Sequence, residues 1–388
     1  MKRFPRVQLG SVADIKGGKR LPNGADFSTT PTAHPYIRAR DIGQGKVRVN
    51  DPVYLSADVA KRLARYTVNA GEVCLTIVGA NVGDIGAVPP ELDGANLTEN
   101  AVKIVTNGKA DQAYLKYALL SDDAAAQMKV LAGGAAQPKL GIYKVETIEI
   151  PLASLPLQRR IAGILSDYDA LIENNQRRIK FLEEMARSLY REWFVHFRFP
   201  GHEKVKMVPS PLGPIPQGWE VKKLGEVLEL NYGKALKSDT RREGQIPVFG
   251  SSGIVGSHDT SLVKGPGIIV GRKGNVGSVF WSDADFYPID TAYFVTSSLP
   301  LRFMFYELQT KNFINNDAAV PGLSRHQAYS LEMVIPPTDL LTRFCRLADD
   351  FEQHALRLRC QIENLRRTRD LLLPRLLSGS VPISEPCI

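Results

Sequence analysis

Basic side chains in loop-like stretches are the residues of this sequence whose types could do chemistry. Lys and Arg recur beside Gly and aromatic residues, as in PYIRARDIGQGKVRV at residues 35–49. Cations bind the phosphates of duplex DNA, and the forked guanidinium of Arg matches the edge of guanine. Ordinary solvated surface charge is the alternative at each single position. The basic candidates for DNA contacts are Lys16, Lys19, Arg20, Arg38, Arg40, Lys46, Arg48, Arg241, Arg242, Arg272, Lys273, Arg325 and His326.

Recognisable catalytic motifs are absent from the sequence. It contains no GxxxxGK[ST] phosphate loop, and the Gly-rich pieces GANVGDIG and VGRKGNVG lead back into β pattern instead of a helix that would cradle a phosphate. The six histidines form no HExxH motif or His/Cys cluster, and the four cysteines lack CxxC spacing, which is typical of reduced thiols. We therefore expect no catalytic residue, metal or cofactor in this chain.

Composition indicates a globular protein of two to four domains. Of its 388 residues, 44% are hydrophobic and 23% charged. No apolar run approaches the ~18 residues that span a bilayer, and the N-terminus MKRFPRVQLG lacks the apolar core of a signal peptide. We expect a cytoplasmic protein with no membrane partner. The net charge of +8 is spread along the chain and favours a polyanionic partner contacted through local clusters.

The sequence repeats itself through landmarks that recur in one order. VQLGSVADIKGGK (7–19) is echoed by KKLGEVLELNYGK (222–234), and Asn-Val-Gly follows a β-rich run in both halves. AAQPKLG (135–141) then matches AAVPGLS (318–324), and a long helical pattern closes each half. Loops at these landmarks add five candidates for DNA contacts: Asn81, Lys139, Tyr143, Asn275 and Ser324.

The globular parts favour an α+β fold built from two similar mixed α/β domains. Short β-branched runs bounded by Gly predict strands such as Glu72–Val78 and Gly267–Gly271. Short helices are expected at Gln112–Leu120 and Arg302–Thr310. The predicted organisation is a first domain at 1–150, a long helix at 151–198, a Pro-rich extended linker at 199–221, a second domain at 222–337 and a second long helix at 338–380.

Two heptad patterns predict two long helices whose seams pack on each other. The spacing alternates 4,3,4,3 without a break, which is the a/d pattern of a coiled coil, and it predicts helices of roughly 50 Å. Parallel and antiparallel pairing both fit the spacing. Asn175 lies in the first seam, where it either fixes the register or faces solvent at an imperfect position. The seams are Ile161, Leu165, Tyr168, Ile172, Asn175, Ile179, Leu182, Ala186, Leu189 and Trp193, and Phe344, Ala348, Phe351, Ala355, Leu358, Ile362, Leu365, Arg369, Leu372 and Leu376.

Two related domains joined by rigid helices predict a caliper that reads two segments of a linear polymer. A helix of roughly 50 Å corresponds to somewhat more than one turn of B-DNA. Because the domains differ in sequence, the two segments should differ as well. The predicted target is bipartite, asymmetric duplex DNA with an unread gap.

The chain resembles the specificity subunit of type I restriction–modification systems over essentially its whole length. The resemblance rests on GPIPQGW (213–219) leading into LGEV (224–227), on the helical region 151–194, and on its more divergent copy at 335–379. Family members usually carry Glu before the Gln of the central motif, where this chain has Leu157 before Gln158. The second copy lacks the Gln.

The resemblance implies target-recognition domains that each read half of a DNA site, and an antiparallel coiled coil that sets the gap and docks two modification (methyltransferase) subunits. Restriction (translocase and nuclease) subunits complete the assembly. S-adenosylmethionine for adenine methylation, ATP and Mg are expected on those partners and not on this chain. For the partner interface we favour helix faces away from the seams, with solvated helix charge as the alternative: Arg177, Arg178, Glu184, Arg366 and Arg367.

Three other interpretations fit the sequence. The chain could be an enzyme whose site lacks a recognisable motif, or a scaffold that uses its two domains to bind polypeptides. It could also serve a system that methylates DNA without restricting it. The sequence does not say which bases would be read.

Overall fold

The computed structural model describes residues 4–133, 138–313 and 322–381. The repeated landmarks around 135 and 318 therefore lie partly outside the described residues, and Cys387 lies wholly outside them. The chain divides into two compact units. Unit one combines Met1–Asn175 with Gln361–Ile388, and unit two is Gln176–Cys360. Each unit contains one globular domain and one segment of each long helix.

The domain of unit one is built on a mixed main sheet. Its strands are β1 Arg6–Gln8, β2 Ala13–Gly17, β3 Pro35–Ile37, β4 Ile42–Gly43, β5 Gly45–Val47, β6 Val53–Tyr54, β7 Val73–Thr76, β8 Ile85–Ala87, β9 Asn96–Leu97, β10 Ala101–Thr106 and β11 Glu149–Pro151. Its helices are α1 Ala57–Arg62, α2 Gln112–Leu119, α3 Asp122–Ala132, α4 Ile142–Glu146 and the start of α5 Leu155–Tyr190. The main sheet has the order β2-β10-β7-β8-β5-β4, and a second sheet has the order β6-β3-β9.

The domain of unit two has a four-stranded antiparallel main sheet and a smaller three-stranded sheet. Its strands are β12 Met207–Val208, β13 Ile215–Pro216, β14 Glu220–Lys223, β15 Leu228–Tyr232, β16 Ile246–Gly250, β17 Gly253–His258, β18 Gly267–Gly271, β19 Val279–Ser282, β20 Tyr287–Pro288, β21 Ala292–Ser297 and β22 Glu332–Ile335. Its helices are α6 Leu224–Val227, α7 Leu301–Thr310, α8 Arg325–Ser330 and the start of α9 Thr338–Leu377.

Strand order confirms the internal repeat. The order β2-β10-β7-β8 in the first domain matches β15-β21-β18-β19 in the second. The small sheet β6-β3-β9 matches β17-β16-β20, and in each the central strand pairs antiparallel to one neighbour and parallel to the other. The antiparallel pair β1-β11 likewise matches β14-β22. The first domain differs by adding β5 and β4 to the edge of its main sheet.

A close backbone approach recurs after the first strand of each main sheet. A Cβ on Gly18 would lie 2.1 Å from the carbonyl oxygen of Thr98, and one on Gly233 would lie 2.2 Å from the carbonyl oxygen of Ile289. A methyl group cannot occupy either space without moving the main chain, so only glycine fits. The shared Gly-Lys of the sequence repeat therefore marks a shared constraint on the backbone.

The long helices pair antiparallel in unit one. Asp169 of α5 bonds Arg369 of α9 at 2.7 Å, and Asn175, further along α5, donates to Gln361, which lies earlier on α9, at 3.4 Å. Asn175 is only 6% exposed, so it lies inside the seam and not in solvent. The structure thus selects the antiparallel pairing that the heptad spacing alone left open.

Unit two shows the same antiparallel order. Glu183 of α5 bonds Arg359 of α9 at 2.8 Å, and the rings of Tyr190 and Phe344 lie 5.9 Å apart. Every seam residue named from the heptads is buried or half-buried. A single turn of π-helix, Arg191–Val195, ends the first long helix. The coiled coil predicted from the spacing is confirmed.

A charged network fixes α2 to both long helices in unit one. The carboxylate of Asp169 accepts a hydrogen bond from the Tyr117 hydroxyl at 2.6 Å, and it pairs with Lys116 at 3.1 Å and with Arg369 at 2.7 Å. Burial acts to raise the pKa of Asp169, but the Tyr117 hydrogen bond and the two cations outweigh it and hold the pKa below its ordinary value. Three partners on two elements therefore share one carboxylate.

Gln158, the Gln of the helical motif, joins two helices through side-chain hydrogen bonds. Gln158 is fully buried, accepts a hydrogen bond from the Asp111 amide at 2.8 Å and donates one to the Ala153 carbonyl at 2.7 Å. It therefore ties the start of α2 to the start of α5. Leu157, which replaces the usual Glu, is half-buried and packs against the core of unit one.

The Pro-rich stretch at 199–221 folds onto unit two. Strands β12 and β13 pair antiparallel within it. Phe199 and Trp219, near its two ends, are buried, and their ring centroids lie 5.3 Å apart. The stretch therefore contributes aromatic side chains to the core of unit two, which proline spacing alone did not indicate.

Alanine at either equivalent glycine should destabilise the fold. Gly18→Ala and Gly233→Ala each place a methyl group against a carbonyl oxygen, so we expect each to lower the free energy of unfolding by at least about 2 kcal/mol. Gly163→Ala is the matched control, because it lies in α5 with open space around the new Cβ, and it should stabilise by about 0.5–1 kcal/mol. Thermal and denaturant unfolding measure all three. Equal stability of the three variants would contradict the shared constraint.

Removing the charge of Asp169 should weaken unit one in a pH-dependent way. Because the folded-state pKa is lowered, the stabilisation is complete above the unfolded-state value of about 3.9 and is lost as the pH falls through the folded-state pKa. Asp169→Asn should cost about 1–3 kcal/mol at pH 7, with the difference from the parent protein closing on acidification.

Asp167→Asn, at an exposed position on the same helix, provides the control and should change stability by less than about 0.5 kcal/mol. Unfolding curves measured from pH 3 to pH 7 give both results. A cost for Asp169→Asn that does not depend on pH would contradict the role given to the carboxylate.

Candidate nucleic-acid interface

Two arginines and two tyrosines form a cluster at one end of the main sheet of unit two. The guanidinium carbon of Arg325 lies 4.2 Å from the ring centre of Tyr232, and that of Arg272 lies 4.8 Å from it. Both guanidinium groups lie 5.7 Å from the ring centre of Tyr293, and the two tyrosine rings are 5.1 Å apart. We call Tyr232, Arg272, Tyr293 and Arg325 the Arg–Tyr cluster.

Strand pairing brings the cluster together. Tyr232 ends β15 and lies directly opposite Tyr293 on β21. Arg272 follows β18, and its carbonyl accepts a hydrogen bond from the Leu323 amide at 2.8 Å, two residues before Arg325. The Tyr293 hydroxyl donates to the Leu323 carbonyl at 3.2 Å. Four segments far apart in the sequence therefore converge on one site.

The cluster is cationic and partly exposed. Arg272 donates from Nη1 to the carbonyl of Asp290 at 2.9 Å. Within the described residues, neither arginine pairs with a carboxylate. Burial raises the pKa of Tyr293, its neighbour Tyr232 adds to the rise, and the two cations oppose it. Tyr232 is 50% exposed, so the site opens to solvent.

Four further predicted residues flank the cluster on the same two loops. Lys273 and Asn275 follow Arg272, and Ser324 and His326 flank Arg325. All four are exposed. A β-bridge between Lys273 and Gly322 joins the two loops. The structure therefore assembles one surface from candidates that the sequence placed in two separate groups.

The first domain repeats the backbone of this site. The Leu140 amide donates to the Ile77 carbonyl at 2.9 Å, as Leu323 does to Arg272 in the second domain. A β-bridge between Val78 and Lys139 matches the one between Lys273 and Gly322. The frame that supports the Arg–Tyr cluster is thus present in both domains.

The side chains on that frame differ completely. Gly17 and Val102 face each other where the second domain has its two tyrosines. Ile77 and Ile142 stand where it has Arg272 and Arg325. The Ile142 Cδ1 atom lies 3.6 Å from the position that a Gly17 Cβ would occupy. The first domain therefore has apolar or small residues at the equivalent positions, and two of them, Ile77 and Val102, are buried.

Other candidates of the first domain lie at the surface. Lys16 is 3.7 Å from Asp14, and Arg20 pairs with Glu99 at 2.9 Å. Lys19 lies 5.9 Å from the centre of the Tyr66 ring. Asn81, Lys139 and Tyr143 are exposed as well.

Several basic candidates have structural partners. Arg38 pairs with Asp41 at 3.1 Å and also bonds the carbonyl of Asp51, and Arg40 pairs with the Asp51 carboxylate at 2.7 Å. Within unit one, Lys46 pairs with Glu173 of α5 at 2.6 Å. These bonds hold the loop around β4 and β5 in place.

Two basic candidates of the second domain also have structural partners. Arg48 of the first domain is an exception. Arg241 donates to the Val255 carbonyl at 2.6 Å, and Arg242 pairs with Asp259 at 2.9 Å. Arg48 is exposed and bonds the side chain of Gln44 at 3.4 Å. Of these residues, Arg48 has the weakest attachment to its own fold.

The candidates for a partner interface all point into solvent. Arg177, Arg178 and Glu184 are exposed on α5, and Arg366 and Arg367 are exposed on α9. Exposure is expected for helix faces away from the seam under both interpretations, a partner interface and solvated helix charge.

Tyr232 and Tyr293 were not among the residues singled out from the sequence. The repeat itself contains the signal for Tyr232, because LELNYGK carries a tyrosine where the first copy ADIKGGK carries Gly17. A large side chain that replaces glycine at a repeated position indicates a feature specific to one domain. The sequence contains no such signal for Tyr293, because only the strand pairing of the structure shows that Tyr293 lies opposite Tyr232.

The described residues offer neither a metal site nor a membrane-spanning helix. In the described part of the chain, no group of three or more His, Cys, Asp or Glu residues could hold a metal ion. No helix there is both long enough and apolar enough to cross a membrane.

Comparisons with known proteins agree with one another. A family model described as "Type I restriction modification DNA specificity domain" matches residues 1–184 and 216–339. The chain is 26% identical over 305 residues to the type I restriction enzyme MjaIX specificity subunit of Methanocaldococcus jannaschii, covering 70% of this chain and 69% of that protein. It is 31% identical over 190 residues to the MjaVIII specificity subunit of the same organism, covering 47% and 43% of the two chains.

A solved structure shares the fold. The S subunit of a type I restriction–modification system from M. genitalium aligns with a TM-score of 0.58 and 16% identity. The alignment covers 99% of this chain and 100% of that one.

Proposed function

The chain belongs to the family of type I restriction–modification DNA specificity subunits, and from this premise we propose that it directs a type I complex to a bipartite, asymmetric site in duplex DNA. Each domain binds one half of the site. The long helices set the gap between the halves and dock two modification (methyltransferase) subunits, and restriction (translocase and nuclease) subunits join that assembly.

The observation that carries the proposal is a repeated frame with different side chains. Both domains have the same strand order and equivalent backbone bonds. At the equivalent positions one domain has four apolar or small residues and the other has the Arg–Tyr cluster. Two copies of one frame with different surfaces suit a site whose halves differ in sequence.

The charge distribution supports nucleic acid as the polymer. The chain carries a net charge of +8, and the loops around the Arg–Tyr cluster add Lys273 and His326 to its two arginines. Planar guanidinium groups on aromatic rings are typical of surfaces that bind phosphates and base edges. The scaffold interpretation gives no reason for this cluster to be cationic.

The chemistry of modification and restriction is assigned to the partners. In this proposal the chain supplies sequence recognition, and S-adenosylmethionine, ATP and Mg bind to the modification and restriction subunits. The exposed charges Arg177, Arg178 and Glu184 on α5 belong to the helix faces proposed for docking.

The affinity for DNA should depend on the length of the gap between the half-sites as well as on the sequences of the half-sites. A complex of this chain with the modification subunits of its own system should bind a duplex that carries its methylated motif. Inserting or deleting one base pair in the gap should weaken specific binding by at least about 100-fold, because specific complexes exceed non-specific ones by at least about 1,000-fold. Affinity measured by fluorescence anisotropy tests this.

The salt dependence of the same titrations gives a second result. Affinity should fall steeply between 50 mM and 200 mM salt as phosphates regain counterions. A single substitution at an unread position within the gap is the control and should change little. Salt-independent binding, or equal affinity for every gap length, would contradict the proposal.

A further inference from the structure

The geometry of the Arg–Tyr cluster points to one base-reading residue. We propose that Arg325 reads a guanine in the half-site bound by the second domain, with Tyr232, Tyr293 and Arg272 holding it in position. This inference rests on the proposed function and deepens it, because it names a residue that determines specificity and the base it reads.

The cluster holds Arg325 ready to bind. Its guanidinium carbon lies 4.2 Å from the centre of the Tyr232 ring and 5.7 Å from the centre of the neighbouring Tyr293 ring. Stacking on an aromatic face fixes the plane of the fork, so less side-chain entropy is lost when the fork bonds a base. The partly exposed Tyr232 keeps this plane at the surface.

The hydrogen bonds of the two arginines separate their roles. Arg272 already donates from Nη1 to the Asp290 carbonyl, so it is bound to its own fold. Arg325 has a buried Nε atom without a partner, and among the described residues no partner is seen for its two Nη atoms. Arg325 therefore has its terminal pair of donors for a ligand, while Arg272 is a positioning residue.

The fold does not require the cluster. The first domain forms the same amide-to-carbonyl bond, Leu140 to Ile77, without a tyrosine or arginine at any position equivalent to the Arg–Tyr cluster. Two cations held against the same pair of rings repel each other, and no carboxylate of the described residues pairs with either of them. Their presence in one domain only is explained by a ligand that this domain alone binds.

Guanine fits the donor geometry better than a phosphate alone. The O6 and N7 atoms of guanine accept two parallel hydrogen bonds in the major groove, and Arg to guanine is the commonest specific contact there. A phosphate would be satisfied by any cation, such as the exposed Lys273 on the adjoining loop. A fixed guanidinium plane gives an advantage only where the ligand requires two hydrogen bonds in a defined direction, as the edge of guanine does.

A double-mutant cycle on the complex with its modification subunits tests the proposal. The probes are duplexes in which each guanine of the second half-site is replaced in turn by 7-deazaguanine, which lacks the N7 acceptor. For the parent complex, one replacement should weaken binding roughly 5- to 10-fold. Arg325→Ala should weaken binding to the intact duplex roughly 10- to 100-fold and should abolish that penalty.

Two further variants separate base reading from charge. Arg325→Lys keeps the charge but loses the fork, so it should weaken binding to the intact duplex and reduce the penalty. Lys273→Ala is the matched control on the adjoining loop; it should lower affinity and reduce the slope of binding against salt by about one ion while keeping the penalty. Melting curves establish that the variants are folded.

The outcomes distinguish this inference from the proposed function. A bipartite motif with no guanine in its second half, or a 7-deazaguanine penalty that persists in Arg325→Ala, overturns the reading role and leaves the proposed function standing. Full activity of Arg325→Lys assigns the residue to a phosphate and also overturns it. A complex that recognises no bipartite motif overturns both.

Discussion

The apolar seam between α5 and α9 is the constraint on which both units depend. Unit one is completed by residues from 361 onward, and Leu376 and Leu377 of α9 pack into the same core as Leu9 and Leu165. Neither globular domain therefore has its full core until the two long helices have paired. Helix packing of this kind comes mostly from buried apolar surface and not from helix propensity. Every seam position is shielded from solvent, as that requires.

Polar residues within the seam add specificity to this apolar contact. Asn175 is buried and donates to Gln361, and Arg369 bonds Asp169 across the pair of helices. A shift of one heptad would leave these groups buried without partners, which costs more than their bonds contribute. The register is therefore set by a few polar contacts, while most of the stability comes from the apolar residues around them.

Periodicity made the helices, the repeat and the fold class predictable from the sequence. The 4,3 spacing predicts helices that the structure shows at Leu155–Tyr190 and Thr338–Leu377, and β-branched runs predict strands such as Gly267–Gly271. Long-range partners were not predictable. Lys46 lies between Gly45 and Val47 along the chain, and its salt-bridge partner Glu173 lies on α5. Arg272 and Arg325 were identified as candidates, but their stacking on Tyr232 depends on strand pairing that no local pattern specifies.

The two domains share one frame but carry different side chains on it, and the Arg–Tyr cluster is the clearest of these differences. We propose that these differences determine which bases each domain binds. The most direct measurement is a map of N6-methyladenine across the host genome with and without the gene for this chain. The account predicts a methylated bipartite motif that disappears with the gene. An unchanged methylation map would contradict it.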